Sequence, residues 1–342
     1  QHRQRVRSEE RRVGKRVDLG GRRIIREGNS ATAERSSAFG VSSTASGQSS
    51  TAVGDGSTAS GDFSQAFGGN NSATGLASTA VGRSNQALGV RSTAIGSLSA
   101  AEADFSLAIG NSETGATGAR VAAGATNGIA IGRNASVAAA GVNGLAIGTS
   151  ATATALDAIA VGRSVQATGE GSSAVGLDST ASGVSSHSFG ANNTATAENS
   201  VTVGTNNGAS GRFSSVFGNI NDASGFESTA IGIYNVAAGS GSQAFGFSNE
   251  ASGSQSIAFG HNNIASDVRS SAVGANNEAS GEQSSAFGYS NSATGTNSSA
   301  FGHGNSATGF ESTAIGFENR ASGLISIALG RTNEVSPRDS AV

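Results

Sequence analysis

Three histidines stand in the body of this 342-residue chain, His187, His261 and His303. Imidazoles near carboxylates make metal centres and general bases, so these residues are the first to weigh for chemistry. His261 and His303 lie 42 residues apart in a sequence that repeats every fourteen. Three strand spacings, about 14 Å, then separate them, too far to share one ion. His187 falls in a different slot of the repeat. Serine is so abundant that no hydroxyl stands out, and no spacing suggests a Ser-His-Asp nucleophile. Gly-x-Gly-x-x-Ala occurs at Gly169, Gly239 and Gly302. It resembles part of a dinucleotide fingerprint, which needs a following helix; the repeat produces it incidentally. The Gly-Gly-x-Gly-x-Asp calcium nonapeptide is absent. No catalytic, cofactor-binding or metal-binding residue is assigned, and no enzyme activity is expected.

Composition narrows the class. There are 51 Gly, 1 Pro and no Cys, Met or Trp, with 13% charged residues and a net charge of -3. Gly is about twice its usual share of roughly 7%, yet too irregular in period for collagen. Zero Cys excludes a disulfide scaffold and a thiolate metal site. No apolar run reaches the roughly 18 residues of a membrane-spanning helix. With no Met, the natural start is expected to lie upstream. Charge is uneven: residues 1–28 hold 10 Arg/Lys against 4 acids. Residues 1–30 therefore read as a basic leader, a solvated and disordered arm, with nucleic acid or an anionic membrane as less favoured partners. Residues 31–342 form the repeat body.

The elements that position everything else come from a lattice of seven. Gly falls at 40, 47, 54, 61, 68, 75, 82, 89 and 96, then Ala103, then Gly110; the lattice resumes at Gly148 and runs in phase to Gly330. A Gly in every heptad and no Leu/Ile seam exclude a coiled coil. Alternate heptads differ, so the true period is fourteen. One type is Ser-x-Ala-h-Gly with h apolar, as in Ser284-Ser285-Ala286-Phe287-Gly288; the other is Asn-x-Ala-Ser/Thr-Gly, as in Asn277-Glu278-Ala279-Ser280-Gly281. Each heptad is read as a strand of about five residues plus a tight turn. Side chains alternate across a strand, so the Ala and Gly shared by both types should face inward, where nothing larger than a methyl fits. The turn glycines should supply the left-handed backbone of the corners. The fold class is all-β, a narrow parallel β-roll.

Outward, one column is apolar throughout: Phe39, Val53, Phe67, Val81, Ile95, Ile109, Ile131, Ile147, Val161, Val175, Phe189, Val203, Phe217, Ile231, Phe245, Phe259, Val273, Phe287, Phe301, Ile315 and Leu329. A stripe of that length is too large for a soluble monomer. It is expected to be the interface with other copies of the chain, in a closed assembly. A second column reads Asn193, Asn207, Asn221, Asn235, Asn249, Asn263, Asn277, Asn291, Asn305, Asn319 and Asn333. Stacked amides form hydrogen-bonded ladders and Asn suits turns, so these are read as a structural turn ladder. A third row sits after the apolar-type Gly: Ile233, Phe247, His261, Tyr289, His303 and Phe317. These are read as corner residues that seal the contact with a neighbouring protomer, a reading favoured over a partner-binding stripe.

The alternating heptads resemble the head repeats of trimeric autotransporter adhesins of the YadA type, over roughly residues 31–342. That resemblance implies a left-handed parallel β-roll of 14-residue coils and a homotrimer about one axis. It also implies extracellular display on a bacterial surface to bind host matrix or other cells. The family's signal peptide, neck, stalk and C-terminal barrel are not visible in the sequence, so anchoring to an outer membrane would rest on a barrel elsewhere. A phage or virion fibre of the same architecture is one alternative. An ice-binding Ser/Thr face is another, against which Asp222, Glu250, Glu278, Arg320 and Glu334 intrude.

The lattice breaks around residues 111–147. Strand-closing glycines 110, 132 and 148 give spacings of 22 and 16, or insertions of eight and two. The segments 113–118 and 141–144 are read as loops bulging from the roll, neutral insertions rather than binding loops.

Overall fold

Small residues at alternate positions leave a strand little with which to fill a core, so two strands of one coil can face each other closely. In the computed structural model each coil pairs a five-residue strand, such as Ser285–Tyr289, with a two-residue strand, such as Ser292–Ala293. Residues 17–18, 22–25, 28–112 and 117–336 are described. The chain divides into two units, residues 1–177 and 178–342. Each unit is an all-β parallel solenoid with no helix among the described residues. In the first, Ala38 pairs with Ala52 and Val53 with Phe67; in the second, Ala286 pairs with Ala300 and Phe287 with Phe301. Every residue thus stacks on its counterpart one coil away. The leader falls largely outside the described residues. Within it, Arg22–Ile25 pairs in parallel with the first coil, Ile25 opposite Phe39, and Val17–Asp18 pairs antiparallel to that strand.

The lumen is built as expected around alanine: Ala38, Ala52, Ala286 and Ala300 are fully buried. It admits more than methyl groups, however. The serine two residues before each alanine points inward, as at Ser50 and Ser284, and Val121, Val137, Val165 and Val216 are also fully buried. The asparagine column lies inside as well, each residue at most 2% exposed from Asn193 to Asn319. Buried polar groups need partners, and these find them in one another. Asn277 Nδ2 donates to Asn263 Oδ1 at 3.0 Å, to the Val273 carbonyl at 3.0 Å and to the Gly288 carbonyl at 2.8 Å. Asn277 Oδ1 accepts from the backbone N–H and side-chain amide of Asn291, both at 3.0 Å. The same chain of amides runs from Asn207 to Asn319 in the second unit. In the first unit, Asn71 and Asn85 repeat it. At the asparagine, the backbone N–H bonds to a side-chain oxygen instead of a neighbouring strand.

Corners depart from the sequence reading. The left-handed residues are mostly not glycine: Ser290 has φ 53°, Gln283 φ 57° and Ile220 φ 54°. They come two residues after each lattice position, where the chain reverses. The lattice glycines serve a different need, close approach. A Cβ on Gly274 would lie 2.1 Å from the Gly288 carbonyl oxygen, and that on Gly281 would lie 2.2 Å from the Gly295 carbonyl oxygen. Gly274 sits within a strand at φ 117°, a region that only glycine enters freely.

The irregular stretch keeps the register. Leu107 pairs with Ile129 and Ile129 with Leu145. Residues 113–116 lie outside the described residues, but the other insertion folds inward rather than bulging. Gly141 N–H bonds the Ala138 carbonyl at 2.8 Å and Gly144 N–H bonds the Gly141 carbonyl at 2.9 Å. The widened corner is filled by Val137, whose Cγ1 would lie 2.8 Å from a Cβ on Gly141 or Gly144. Valine replaces alanine in the lumen where two extra corner residues make room for it. Glu102 clasps the coil beyond the larger insertion. Its carboxylate accepts from Arg120 Nε at 3.0 Å and Nη2 at 3.1 Å, and from the Ala123 N–H at 3.3 Å.

Two outcomes follow for stability. Asn277→Ala would leave the buried Asn291 backbone N–H without its acceptor, at about 1–3 kcal/mol. It would also remove the side-chain donor from the part-buried Val273 and Gly288 carbonyls. A large drop in chemical-denaturation midpoint is expected. Asn277→Ser should cost less, because Ser43 Oγ already reaches the equivalent Gly54 carbonyl at 3.0 Å. The Arg120 hydrogen bond holds the Glu102 carboxyl below its ordinary value of 4.5, against a smaller opposing effect of burial. Its contribution is therefore present above that value and is lost as pH falls through the depressed folded value. With Arg120 half exposed, Glu102→Gln should cost less than about 1 kcal/mol. The melting-temperature gap between the two proteins should close on acidification.

Candidate functional site

The lumen is closed, so whatever this chain does it does from its outer faces. The five-residue strand shows three side chains outward in alternation: Ser285, Phe287 and Tyr289 in one coil, Ile257, Phe259 and His261 in another. The middle one is the apolar column. In the first unit Phe39, Val53, Phe67, Val81, Ile95, Ile109, Ile131, Ile147, Val161 and Val175 are all half-buried by their neighbours in the column. In the second unit several are more open, Phe259 at 54% and Leu329 at 65%. Stacking orders the rings, with Phe287 and Phe301 parallel at 5.2 Å and Phe245 and Phe259 tilted at 6.3 Å.

A further apolar row escaped the sequence reading. The outward slot before the lumen alanine, read as variable, holds Leu107, Ile129, Leu145 and Ile159 over four successive coils of the first unit. Val201, Ile257 and Ile327 occupy it in the second. The visible signal was a hydrophobic residue two places before h, hidden because most coils have Ser, Thr or Gln there. Together the two slots make a band two residues wide.

The third row is placed differently from the corner assigned to it. Phe247, His261, Tyr289, His303 and Phe317 each end a five-residue strand. They face outward beside the apolar column, and the left-handed corner comes one residue later. Their rings touch along the solenoid axis. Phe247 stacks on His261 at 5.3 Å, Tyr289 meets His303 at 5.0 Å and His303 meets Phe317 at 4.9 Å. Tyr234 adds an edge contact to Phe247 at 5.8 Å, and the Arg331 guanidinium sits 5.3 Å from the Phe317 ring centre.

Other candidate groups stay apart. His187 begins its strand and stacks on Phe189 at 6.1 Å. His261 and His303 are separated by Ala275 and Tyr289 in the pairing order. Among the described residues no three His, Cys, Asp or Glu side chains gather as a metal site. On the short-strand face Asp222, Glu250 and Glu278 point outward, alternating with Val236 and Ile264. Burial pushes the Asp222 carboxyl above its usual range. The arrangement offers long, ordered rows of recurring contacts.

A protein-family model described as the YadA head domain repeat matches the chain twelve times, from residues 31–57 through 307–332. The matches cover most of the chain in blocks spanning 31–112, 139–164, 167–207, 223–249, 251–277, 279–305 and 307–332. No curated protein sequence matches it.

Proposed function

The chain belongs to the YadA head-repeat family, the adhesin-like head of trimeric autotransporters, and from that premise we propose a homotrimeric fibre segment that adheres by many weak contacts. It is displayed outside the cell, and its partners are first its own sister chains and then matrix, cell-surface or other extended ligands. No small-molecule substrate is invoked. Adhesion would be multivalent, since every surface row occurs on three chains and is repeated coil after coil. Linked weak sites raise avidity by orders of magnitude without any new contact.

The observation that carries the trimer is the uncovered apolar column. The largest side chains fully buried within a single chain are valine and asparagine. Ordering each coil costs roughly 1–2 kcal/mol per residue of backbone entropy, and alanines return little of it. Every Phe, Ile and Leu of the column remains at least partly exposed. Covering each would contribute roughly 1.5–3 kcal/mol, enough over many coils to decide folding. A repeat with a constant stripe is best covered by identical stripes about a common axis.

Sedimentation or light scattering on the purified chain should give three times the mass of one chain. Phe287→Asp combined with Phe301→Asp should yield unassembled, poorly folded protein; a folded soluble monomer would remove the interface assignment. Beads carrying the head should adhere to matrix-coated or cell-coated surfaces with a steep dependence on head density. Adhesion that grows only in proportion to density would argue against avidity.

A further inference from the structure

The strand-end row beside the apolar column changes character along the chain. In the first unit this slot holds Asp55, Arg83, Arg133 and Arg163, all exposed, among Val41, Gly69, Ser97, Asn111, Thr149 and Leu177. In the second it holds Ile233, Phe247, His261, Ala275, Tyr289, His303 and Phe317 over seven successive coils. The same row of the second unit runs on from Phe317 to the exposed Arg331, and a slot buried between identical chains there would bring like guanidinium groups together, at high cost. The row therefore lies outside the contact made by the apolar column. Its aromatic run, which sequence alone favours as a seal between protomers, is then free for a different partner.

The run has a missing rung. Phe247 and His261 stack below it, and Tyr289, His303 and Phe317 continue above it, with centres 4.9–5.3 Å apart. Between His261 and Tyr289 the register places Ala275, a methyl group. Two strand spacings, about 9.6 Å, separate the flanking residues. A planar ring entering midway would lie about 4.8 Å from each, close to the spacing the chain's own rings keep. Edge and offset stacking are both favourable at that distance. Beside the notch, the exposed Asn262 amide donates to Asn276 Oδ1 at 2.9 Å, a polar rim next to an apolar floor.

We propose that the Ala275 notch binds a planar aromatic side chain from a protein or peptide partner, which completes the ladder between His261 and Tyr289. This deepens the adhesive reading and rests on it, naming one contact through which the head holds its ligand. Each notch binds weakly. Three chains in one assembly would present it three times.

The chain contains no Trp, so N-acetyltryptophanamide is the sole indole when mixed with the assembled head. Its emission and anisotropy should change saturably on titration. N-acetylphenylalaninamide should displace it; N-acetylalaninamide and glucose should not. Ala275→Phe supplies the missing ring from within the chain and should weaken binding roughly tenfold or more. Ala191→Phe, in the same slot of a coil outside the aromatic run, should leave it unchanged. Circular dichroism and solution mass should match the parent for both variants. Wild-type head that fails to bind the probe, or Ala275→Phe that binds it as well, would overturn the notch. So would loss of the assembled mass in Ala275→Phe, which would place Ala275 between protomers, or displacement by glucose. Density-dependent adhesion of the parent head is measured in parallel. If that persists while the notch fails, the adhesive reading stands without it; if it is absent, the broader reading falls.

Discussion

Close approach of identical backbones is the constraint on which this structure depends. A parallel solenoid with a fourteen-residue turn stacks each residue on its own counterpart, as Gly274 lies on Gly288 and Ala272 on Ala286. At lattice positions the neighbouring carbonyl comes so near that a Cβ would collide with it, 2.1 Å away at Gly274. Glycine holds every apolar-type position, while residues such as Ala103, Ala197 and Asp267 take the polar-type place in some coils. Among the described residues nothing larger than valine or asparagine is fully buried inside. From that follows the rest: a lumen lined by methyls, hydroxyls and amides, and no place inside for Phe, Leu or Ile. The large apolar residues are forced outward. In the proposed trimer these residues would be covered by sister chains, which would tie folding to assembly.

Within the lumen, the amide column solves a second problem. Where the chain leaves a long strand for a corner, the asparagine N–H has no strand neighbour. It bonds the side-chain oxygen one coil away, as Asn291 N–H does to Asn277 Oδ1. The Val273 and Gly288 carbonyls gain a second donor beyond their strand partners. Each asparagine serves both and passes its own oxygen to the next coil. The column is lost where Ala119, Ala135, Ala151 and Val165 occupy the same slot, all fully buried. Coils there have longer corners, Val121 and Val137 fill the added space, and Glu102 clasps Arg120 from outside. Two packing solutions, polar ladder and apolar plug, thus support the same strand register.

The outer surface divides by role along the strand rather than around a pocket. The apolar column is constant in both units, as an assembly contact requires. The row two residues on is variable, with scattered charges such as Arg83 and Arg163 in one unit and a run of rings from Phe247 to Phe317 in the other, as a surface that meets different partners would be. Repetition multiplies a weak contact, whereas a catalytic site needs several unlike groups at one place.

Much of this was legible in the residues themselves. A period of fourteen with small residues at fixed alternate places allows little besides parallel stacking, and it put Ala286 inside and Phe287 outside before any coordinates. Three things were not legible. Asn277 could have capped a surface turn; that it turns inward depends on Asn263 and Asn291, each a full coil away, which its amide bonds on either side. The left-handed corners at Ser290 and Gln283 carry no glycine, because the reversal is imposed by the stacked strands on either side rather than by local preference. And Tyr289 reads as a corner from spacing alone, while the strand pairing carries it one residue further onto the flat outer face. Periodicity fixes which residues recur together. Only the folded chain decides which backbone N–H a side-chain amide serves and on which side of a reversal a side chain emerges, since both depend on neighbours a full coil away.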